Sequence, residues 1–457
     1  MIRLFNHYLP LRILLLTLIE AMVLFQAMVL GFEIRMPDQA LPLPLVEAGV
    51  FTVVMLLMMT GLGLYESQSE PFRVMLQRLA VAYALTLVMM SVIFYVFPAT
   101  YVGRGVFAMT SLLAAGGVLL TRLIFFRITD VGLPKRRVLV LGNGDEAEDV
   151  IRFLNDGARG RAIEYAGLYP LAVDRESSEE DRRKVRQQLL RTVDDLRVSE
   201  IVIAVRERRG GVMPLRQLLD CKLKGIRVVD LVAFYEREQG LLRVDNLRAS
   251  WLIFGTGFEQ GITRDIIKRS FDVLVSVAML ITTLPILLLA MLAILIETGR
   301  PVFYRQERVG QGGVRFNIYK LRSMCQDAEK DGKPRWASAN DSRVTAVGRW
   351  LRLCRIDELP QLFNVLRGDM SFVGPRPERP AFVAQFLEDI PYYDVRHSVK
   401  PGITGWSQVR YSYGATTEDA IAKLQYDLYY VKHHSLFLDL LILVDTVQVV
   451  LLGKGAR

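Results

Sequence analysis

Four apolar segments open the chain, at about residues 11–31, 43–64, 76–97 and 105–126. Each approaches the roughly 20 residues that an α-helix needs to cross a bilayer. In lipid every backbone polar group must find its partner inside the segment, so such stretches can only be helices. Residues 1–130 therefore read as a four-helix transmembrane block. The first segment is too long for the apolar core of a signal peptide and lacks a small-residue cleavage site, so we expect a retained anchor. Glu20 and Glu47 interrupt the first two segments. An acid at that depth marks a polar site or faces a neighbouring helix. We expect Glu20 to face another helix and Glu47 to lie near a helix end. Arg3 and Arg12 lie at the start of the first helix, and Arg122, Arg127, Lys135, Arg136 and Arg137 at and after the fourth. The first and third loops are poor in basic residues. Both ends of the block are thus expected on the cytoplasmic side.

The remaining length, out of 457 residues, allows one or two further domains. The formal charge is +9. With membrane segments present, that excess suits positive-inside flanks and anionic headgroups. No basic run carries interleaved aromatics, and no nucleic-acid partner is expected. Cys221, Cys325 and Cys354 make neither a metal spacing nor a disulfide framework, which fits a reducing compartment.

After a Gly-Leu-Pro linker, Arg137-Val138-Leu139-Val140-Leu141-Gly142-Asn143-Gly144 reads as a strand and a glycine turn, followed by a helix start at Asp145. Apolar runs at Tyr165–Tyr169, Glu200–Val205 and Ile226–Val232 alternate with helical stretches. That alternation predicts a parallel sheet in a Rossmann-like domain over residues 135–240. Gly142 and Gly144 either cradle a nucleotide or only make the turn. No acid closes the second strand to hold a ribose, since Asp174 falls late, so we expect a scaffold and assign no cofactor-binding residue.

Residues 241–262 read as an irregular connector. Val273–Ile296 is then an uncharged apolar run long enough to span. Arg264, Lys268 and Arg269 precede it; Arg300, Arg305 and Arg308 follow. A full crossing would strand one basic cluster outside. A re-entrant helix over 266–297, broken at Pro285 and returning to the same face, satisfies both flanks, with Thr282 and Thr283 offering hydroxyls to freed carbonyls. Residues 302–324 alternate around Gly310, Gly312 and Gly313 as a hairpin does and end with Lys320 and Arg322. Residues 326–342 read as a polar loop. Val344–Leu353 and Pro360–Leu366 read as short amphipathic helices. Leu436–Leu452 is apolar but carries Asp439 and Asp445; we expect it in the interface, with packing against the re-entrant helix as the alternative.

Asp357 and Glu358 lie side by side between those two short helices. Asp357 can cap the second of them, with Pro360 in its tolerant first turn. Arg352 and Arg355 lie upstream, and Arg376 lies downstream in a Gly-Pro-Arg-Pro turn. Acids flanked by fixed cations at a helix start suit metal-assisted phosphoryl transfer, where positioning and charge neutralisation do most of the catalysis. The plainer alternative is a capped amphipathic helix with a solvated charged rim.

Four ordered motifs go further: Lys268-Arg269-Ser270-Phe271-Asp272, Tyr319-Lys320-Leu321-Arg322-Ser323-Met324, the acid pair continued as Phe363-Asn364-Val365-Leu366-Arg367-Gly368-Asp369-Met370-Ser371-Phe372-Val373-Gly374-Pro375-Arg376-Pro377, and Lys400-Pro401-Gly402-Ile403-Thr404-Gly405-Trp406. From about Thr263 onward the chain resembles the bacterial sugar transferases, the monotopic phosphoglycosyl transferases. These move a sugar 1-phosphate from a nucleotide diphosphate sugar onto a polyprenyl phosphate. The resemblance implies a mostly helical catalytic domain over 263–457, behind four helices and a Rossmann-like domain. It implies Asp357 as nucleophile and Mg²⁺ ligand, with Glu358 orienting metal or nucleophile. Arg352 and Arg376 are implied as phosphate contacts, with Lys320 and Arg322 as weaker candidates. A UDP-sugar, undecaprenyl phosphate and membrane lipid are the implied partners, at the cytoplasmic face of a bacterial inner membrane; assembly with a second copy stays open. Family members usually carry Ser before the re-entrant Pro, where this chain has Leu284. Arg410-Tyr411-Ser412-Tyr413-Gly414 replaces the commoner Asn-Gly and resembles an exopolysaccharide subgroup, leaving glucose, galactose and acetamido sugars open. The rival readings are a membrane-anchored NAD-dependent oxidoreductase or epimerase working at Gly142–Gly144, and a non-catalytic assembly or sensor protein.

Overall fold

The computed structural model describes residues 2–4, 7–37, 43–65, 72–132, 135–155, 163–171, 188–205, 213–247, 249–254, 257–258, 261–325, 341, 343–411, 414 and 416–451. The chain forms two compact units, Met1–Ile2 with Leu9–Glu238, and Arg3–Tyr8 with Gln239–Arg457.

The first unit opens with four helices: α1 (Leu11–Arg35), α2 (Leu45–Gly61), α3 (Phe72–Val96) and α4 (Arg104–Gly132). Leu24, Met28, Phe51, Met55, Met59 and Met90 fill their core. α1, α3 and α4 are long and apolar enough to cross a membrane, whereas α2, at 17 residues, is shorter. Glu20 is fully buried and does face another helix: Arg122 Nε lies 2.7 Å from its Oε1, and the Tyr65 hydroxyl donates to its Oε2 at 2.5 Å. Arg122 also donates to Leu64 O at 3.2 Å. Arg122 is therefore not part of a basic membrane flank, as its place in the sequence suggested; it is buried as the partner of Glu20. Breaking such a pair by removing one member costs about 3–5 kcal/mol, because the other charge stays buried.

Four parallel strands follow, β1 (Arg136–Gly142), β2 (Ile163–Tyr169), β3 (Glu200–Ala204) and β4 (Arg227–Asp230), in the order β2-β1-β3-β4. β1 lies centrally, pairing Val138 with Glu200 and Gly142 with Ala204. Gly142 has φ 154°, and a Cβ there would collide with the Ala204 carbonyl oxygen. This close approach of β1 to β3 requires a glycine with or without a ligand. Asn143 bonds the backbone of Leu171, its Oδ1 accepting from the Leu171 N–H at 3.2 Å. The helix that follows, α5 (Asp145–Asn155), carries Asp145, Glu146 and Glu148 in its first turn, which repels a pyrophosphate. Asp174 lies outside the described residues.

The second unit is built on α6 (Ile262–Thr298), also of membrane-spanning length. The expected break at Pro285 is not an interruption of the helix, which runs on through that residue for 37 residues in all. Proline removes one N–H and one hydrogen bond, and the rest of the ladder continues on either side. The hydroxyls of Thr282 and Thr283 bond the carbonyls of Ala278 and Met279. Both ends of α6 are tied into this unit. Near its start, Arg269 donates to Val365 O and Leu366 O, and Asp272 accepts from Phe372 N. At its end, Glu297 accepts from Ala346 N, and Arg322 donates to Thr298 Oγ1 and Gly299 O. Between them Val277, Ile281, Leu284, Leu288 and Leu289 are exposed.

β5 (Phe303–Val309) and β6 (Arg315–Leu321) form the expected antiparallel hairpin, with Tyr304 opposite Lys320. The loop expected over 326–342 lies, but for Asp341, outside the described residues. α7 (Ala346–Leu353) starts at Thr345, whose side chain accepts from Gly348 N. Its Leu351 packs with Leu287, Ala290 and Ile294 of α6 and Leu321 of β6. α8 (Gln361–Arg367) ends at Gly368 in the left-handed conformation. β7 (Ser371–Val373) pairs in parallel with β8 (Gly402–Thr404). The unit closes with α9 (Trp406–Arg410), α10 (Thr417–His433), capped by a Thr416–Asp419 box, and α11 (Leu436–Leu451). The two acids of α11 face protein. Asp439 is 1% exposed, 2.9 Å from Lys268 and bonded by the Tyr430 hydroxyl at 2.8 Å, while Asp445 meets Arg410 at 3.0 Å. α11 meets α6 through Lys268 and packs chiefly on α9, β7 and β8.

Two further segments join this unit. Gly240 O accepts from Trp406 Nε1 at 2.7 Å, and Leu242 N donates to Gln425 O at 3.0 Å, inside the stretch read as connector. His7 is buried against Trp406 and Tyr429.

Candidate active site

Asp357 and Glu358 belong to a 3₁₀ turn, Ile356–Glu358, entered through Arg355 in the left-handed region at φ 57°. Asp357 does not cap the helix that follows. Leu359 and Pro360 both keep right-handed helical torsions, so the chain winds from the turn into α8 with no extended cap residue. The Asp357 carboxyl is thereby left for other work.

Both acids are buried, at 8% and 9% exposure, but their surroundings differ. Glu358 Oε1 accepts from Lys320 Nζ at 2.7 Å and from Arg376 Nη2 at 3.3 Å, with Arg355 Nη1 4.0 Å from Oε2. Asp357 Oδ1 is buried with no hydrogen-bond partner. Burial, and then the neighbouring Glu358 charge, push the Asp357 carboxyl up to about 6; Lys320, Arg352 and Arg355 pull the other way. Burial also works against the charged form of Glu358, yet Lys320 and Arg376 outweigh it and hold that carboxyl well below its ordinary range. Burial lowers the Lys320 ammonium, against the pull of Glu358. Two adjacent acids thus take different states: one firmly anionic and committed to cations, one poised and uncommitted.

Arg376 is held from several sides. Its Nη1 donates to Gln408 Oε1 at 3.2 Å, and its carbonyl accepts from Arg396 Nη2 at 2.9 Å. Arg396 is itself buried against Asp427, at 2.7 Å. The turn bearing Arg376 is pressed onto the start of α9: a Cβ on Gly405 would strike the Gly374 carbonyl oxygen. The Arg352 side chain, half-buried on α7, makes no hydrogen bond or ion pair with a described residue and acts on Asp357 through space. Arg322 forms no ion pair with either acid; it binds the end of α6 through Nη2.

The structure therefore brings Asp357, Glu358, Lys320 and Arg376 together, keeps Arg352 within electrostatic reach, and uses Arg322 as an anchor. Sequence reasoning missed Gln408, the Arg396–Asp427 pair, and a polar ladder on the hairpin face that carries Lys320. In that ladder Gln306 Nε2 donates to the Tyr304 hydroxyl at 2.9 Å, Arg308 Nη2 donates to Gln306 Oε1 at 2.6 Å, and Arg308 Nη1 donates to Pro377 O at 3.0 Å. Polar residues at alternate positions of β5, in register with Lys320, were the available signal.

Among the described residues no group of three or more His, Cys, Asp or Glu could hold a metal ion. A Mg²⁺ ion does not need one, because it commonly takes one or two carboxylates and completes its shell with phosphates and water. The unpartnered Asp357 Oδ1 fits that role.

Membrane-length helices, a parallel sheet and a buried acid set among cations define a membrane protein with a site suited to phosphate-bearing substrates. Residues 263–453 match the family described as bacterial sugar transferase. The chain belongs to that family. It is 44% identical over 242 residues to UDP-N-acetylgalactosamine-undecaprenyl-phosphate N-acetylgalactosaminephosphotransferase from Aeromonas hydrophila, covering 53% of this chain and 56% of that one. It is 43% identical over 194 residues to undecaprenyl-phosphate glucose phosphotransferase from Komagataeibacter xylinus, covering 41% and 36%. It is 44% identical over 195 residues to UDP-glucose:undecaprenyl-phosphate glucose-1-phosphate transferase from Caulobacter vibrioides, covering 42% and 72%. The chain thus spans about half or less of the first two relatives.

Proposed function

We propose that the protein transfers a sugar 1-phosphate from a UDP-sugar to undecaprenyl phosphate, releasing UMP, as the first membrane step of exopolysaccharide or related glycoconjugate synthesis. The observation that carries this reading is the buried, unpartnered Asp357 Oδ1 beside a Glu358 that already holds Lys320 and Arg376. The names of the relatives support the two substrates.

In the proposed mechanism the Asp357 carboxylate attacks the phosphorus that bears the sugar. The bond from that phosphorus to the bridging oxygen breaks, and UMP leaves with the bond's electrons. An oxygen of undecaprenyl phosphate then attacks the same phosphorus and releases Asp357. Splitting one hard displacement into two easier ones is the usual gain of a covalent intermediate. Lys320 and Arg376, oriented by Glu358, face the charge of the diphosphate, and Arg376 offers the planar fork that phosphate oxygens fit. Arg352 is available for a second contact. Asp357 would hold a Mg²⁺ ion, which would supply further charge neutralisation on the diphosphate.

In this reading α6 enters and leaves the membrane on the cytoplasmic face, bending at Pro285. Support comes from the attachment of both its ends to one unit and from the exposed apolar residues between them. The site then lies where a water-soluble donor and a lipid acceptor meet. The decisive experiment offers a panel of nucleotide sugars with undecaprenyl phosphate and Mg²⁺ and follows nucleoside monophosphate release. Release from a UDP-sugar is expected; no release from any donor would sink the reading.

A further inference from the structure

His7 and Tyr8 precede α1 in sequence, yet they group with the catalytic unit. His7 is 7% exposed there. Its Nδ1 lies 2.8 Å from the Tyr429 hydroxyl, and its ring meets Trp406 edge-on, with centroids 5.7 Å apart. Tyr429 in turn stacks on Trp406 at 5.9 Å and an interplanar angle of 25°. The guanidinium of Arg410 lies over the same indole, 4.4 Å from its centroid. Trp406 is thus enclosed by His7, Tyr429, Arg410 and the Gly240 carbonyl that accepts its N–H.

Trp406 opens α9, which is only five residues long. A helix of that length has no stability of its own and sits where its anchor side chains hold it. Two residues beyond the anchor is Gln408, whose Oε1 accepts from Arg376 Nη1 at 3.2 Å. The other terminal nitrogen of Arg376 donates to Glu358 at 3.3 Å. Two of the acceptors that direct the guanidinium are therefore one in the acid pair and one on a short helix clamped from outside.

We propose that His7 is a positioning residue for the transferase site: by clamping Trp406 it fixes α9, and through Gln408 it aims Arg376 at the donor diphosphate. The inference rests on the transferase reading. It makes the tail ahead of the first apolar helix a working part of the catalytic unit.

A double-mutant cycle on the full-length protein in nanodiscs tests this, reading UMP release at saturating undecaprenyl phosphate. His7→Ala should raise the donor KM by about tenfold and lower kcat by less than about twofold, as expected when ground-state binding is lost. In a Gln408→Ala background, where Arg376 has already lost that acceptor, His7→Ala should change KM by less than about twofold. His7→Asn, which keeps a hydrogen-bonding group near the Nδ1 position, should recover most of the loss. An unchanged KM in His7→Ala, or full additivity with Gln408→Ala, overturns the proposal. Should His7→Ala fail to fold, Tyr429→Phe removes the hydroxyl that meets His7 Nδ1 and enters the same cycle with the same criteria. Wild-type inactivity with every donor would fell the transferase reading and this proposal together; an active wild type without coupling would fell this proposal alone.

Discussion

Lys320 Nζ lies 2.7 Å from Glu358 Oε1, and that contact divides the labour of the acid pair. Glu358 is committed to holding cations in place, while its neighbour Asp357 keeps one buried oxygen uncommitted. Each acid should therefore fail in its own way when neutralised.

Asp357→Asn keeps the size of the side chain and removes its negative charge. It should abolish both covalent labelling by sugar-phosphate donor and exchange of labelled UMP into UDP-sugar. Exchange in the wild type should proceed without undecaprenyl phosphate, since the first half-reaction closes without it. Glu358→Gln should slow exchange and raise donor KM, because Lys320 and Arg376 lose their common partner. If wild-type exchange strictly required the lipid, a ternary-complex displacement would be the better account, and Asp357 would be at most a metal ligand.

Activity should depend on the charge of Asp357. Its carboxyl is pushed up to about 6, chiefly by burial, and only the carboxylate can attack phosphorus. The rate of the first half-reaction should rise as pH is raised through about 6 and then level off. A flat profile between pH values of about 5 and 7.5 would show that burial does not keep this carboxyl raised in the working complex.

The same shift is a statement about stability, with the opposite sense. A carboxyl raised above its unfolded value favours the folded state at low pH and loses that contribution as pH rises through the folded value. At neutral pH the Asp357 charge should therefore cost stability, and Asp357→Asn should be the more stable protein there. Thermal melts of both proteins should differ near neutral pH and converge at about pH 4. A variant destabilised at neutral pH would contradict this.

Arg396 and Asp427 form a buried pair under the turn that carries Arg376. Asp427→Asn leaves the guanidinium unpaired and should destabilise the catalytic unit by about 3 kcal/mol or more. Arg396→Met with Asp427→Leu removes both charges and should recover much of the stability but not the donor affinity, because Arg376 still loses the donor to its carbonyl. Chemical denaturation and donor KM, measured on the same samples, separate the two effects.

Reporter fusions after residues 262 and 310 should both give a cytoplasmic signal if α6 is re-entrant. A periplasmic signal after residue 310 would make α6 a full crossing.

Much of this organisation was legible in the sequence because long-range consequences were written locally. The membrane-length helices, the alternation of strands and helices, the glycine hairpin and the charged residues around Asp357 each follow from a single window. What stayed hidden depends on partners far apart in the chain. Arg122 read as a basic flank because nothing near it reveals Glu20. Asp439 read as interfacial because Lys268 lies on a different helix. Asp357 read as a cap because an acid before a proline often is one; only the helical torsions of Leu359 and Pro360 show otherwise. His7 gave no sign at all, since its partners lie about four hundred positions away, a separation of 422 for Tyr429.

The Glu20–Arg122 pair also sets a clock on biogenesis. The two residues are 102 positions apart, so the carboxylate of α1 emerges well before the guanidinium that neutralises it. At a synthesis rate of about 5–20 residues per second, the wait is roughly 5–20 seconds. During that interval α1 cannot settle in hydrocarbon with a bare charge. It must remain beside the insertion machinery, keep Glu20 protonated, or lean on a transient partner. If α1 waits beside the machinery, the arrival of Arg122 on α4 is what lets it go.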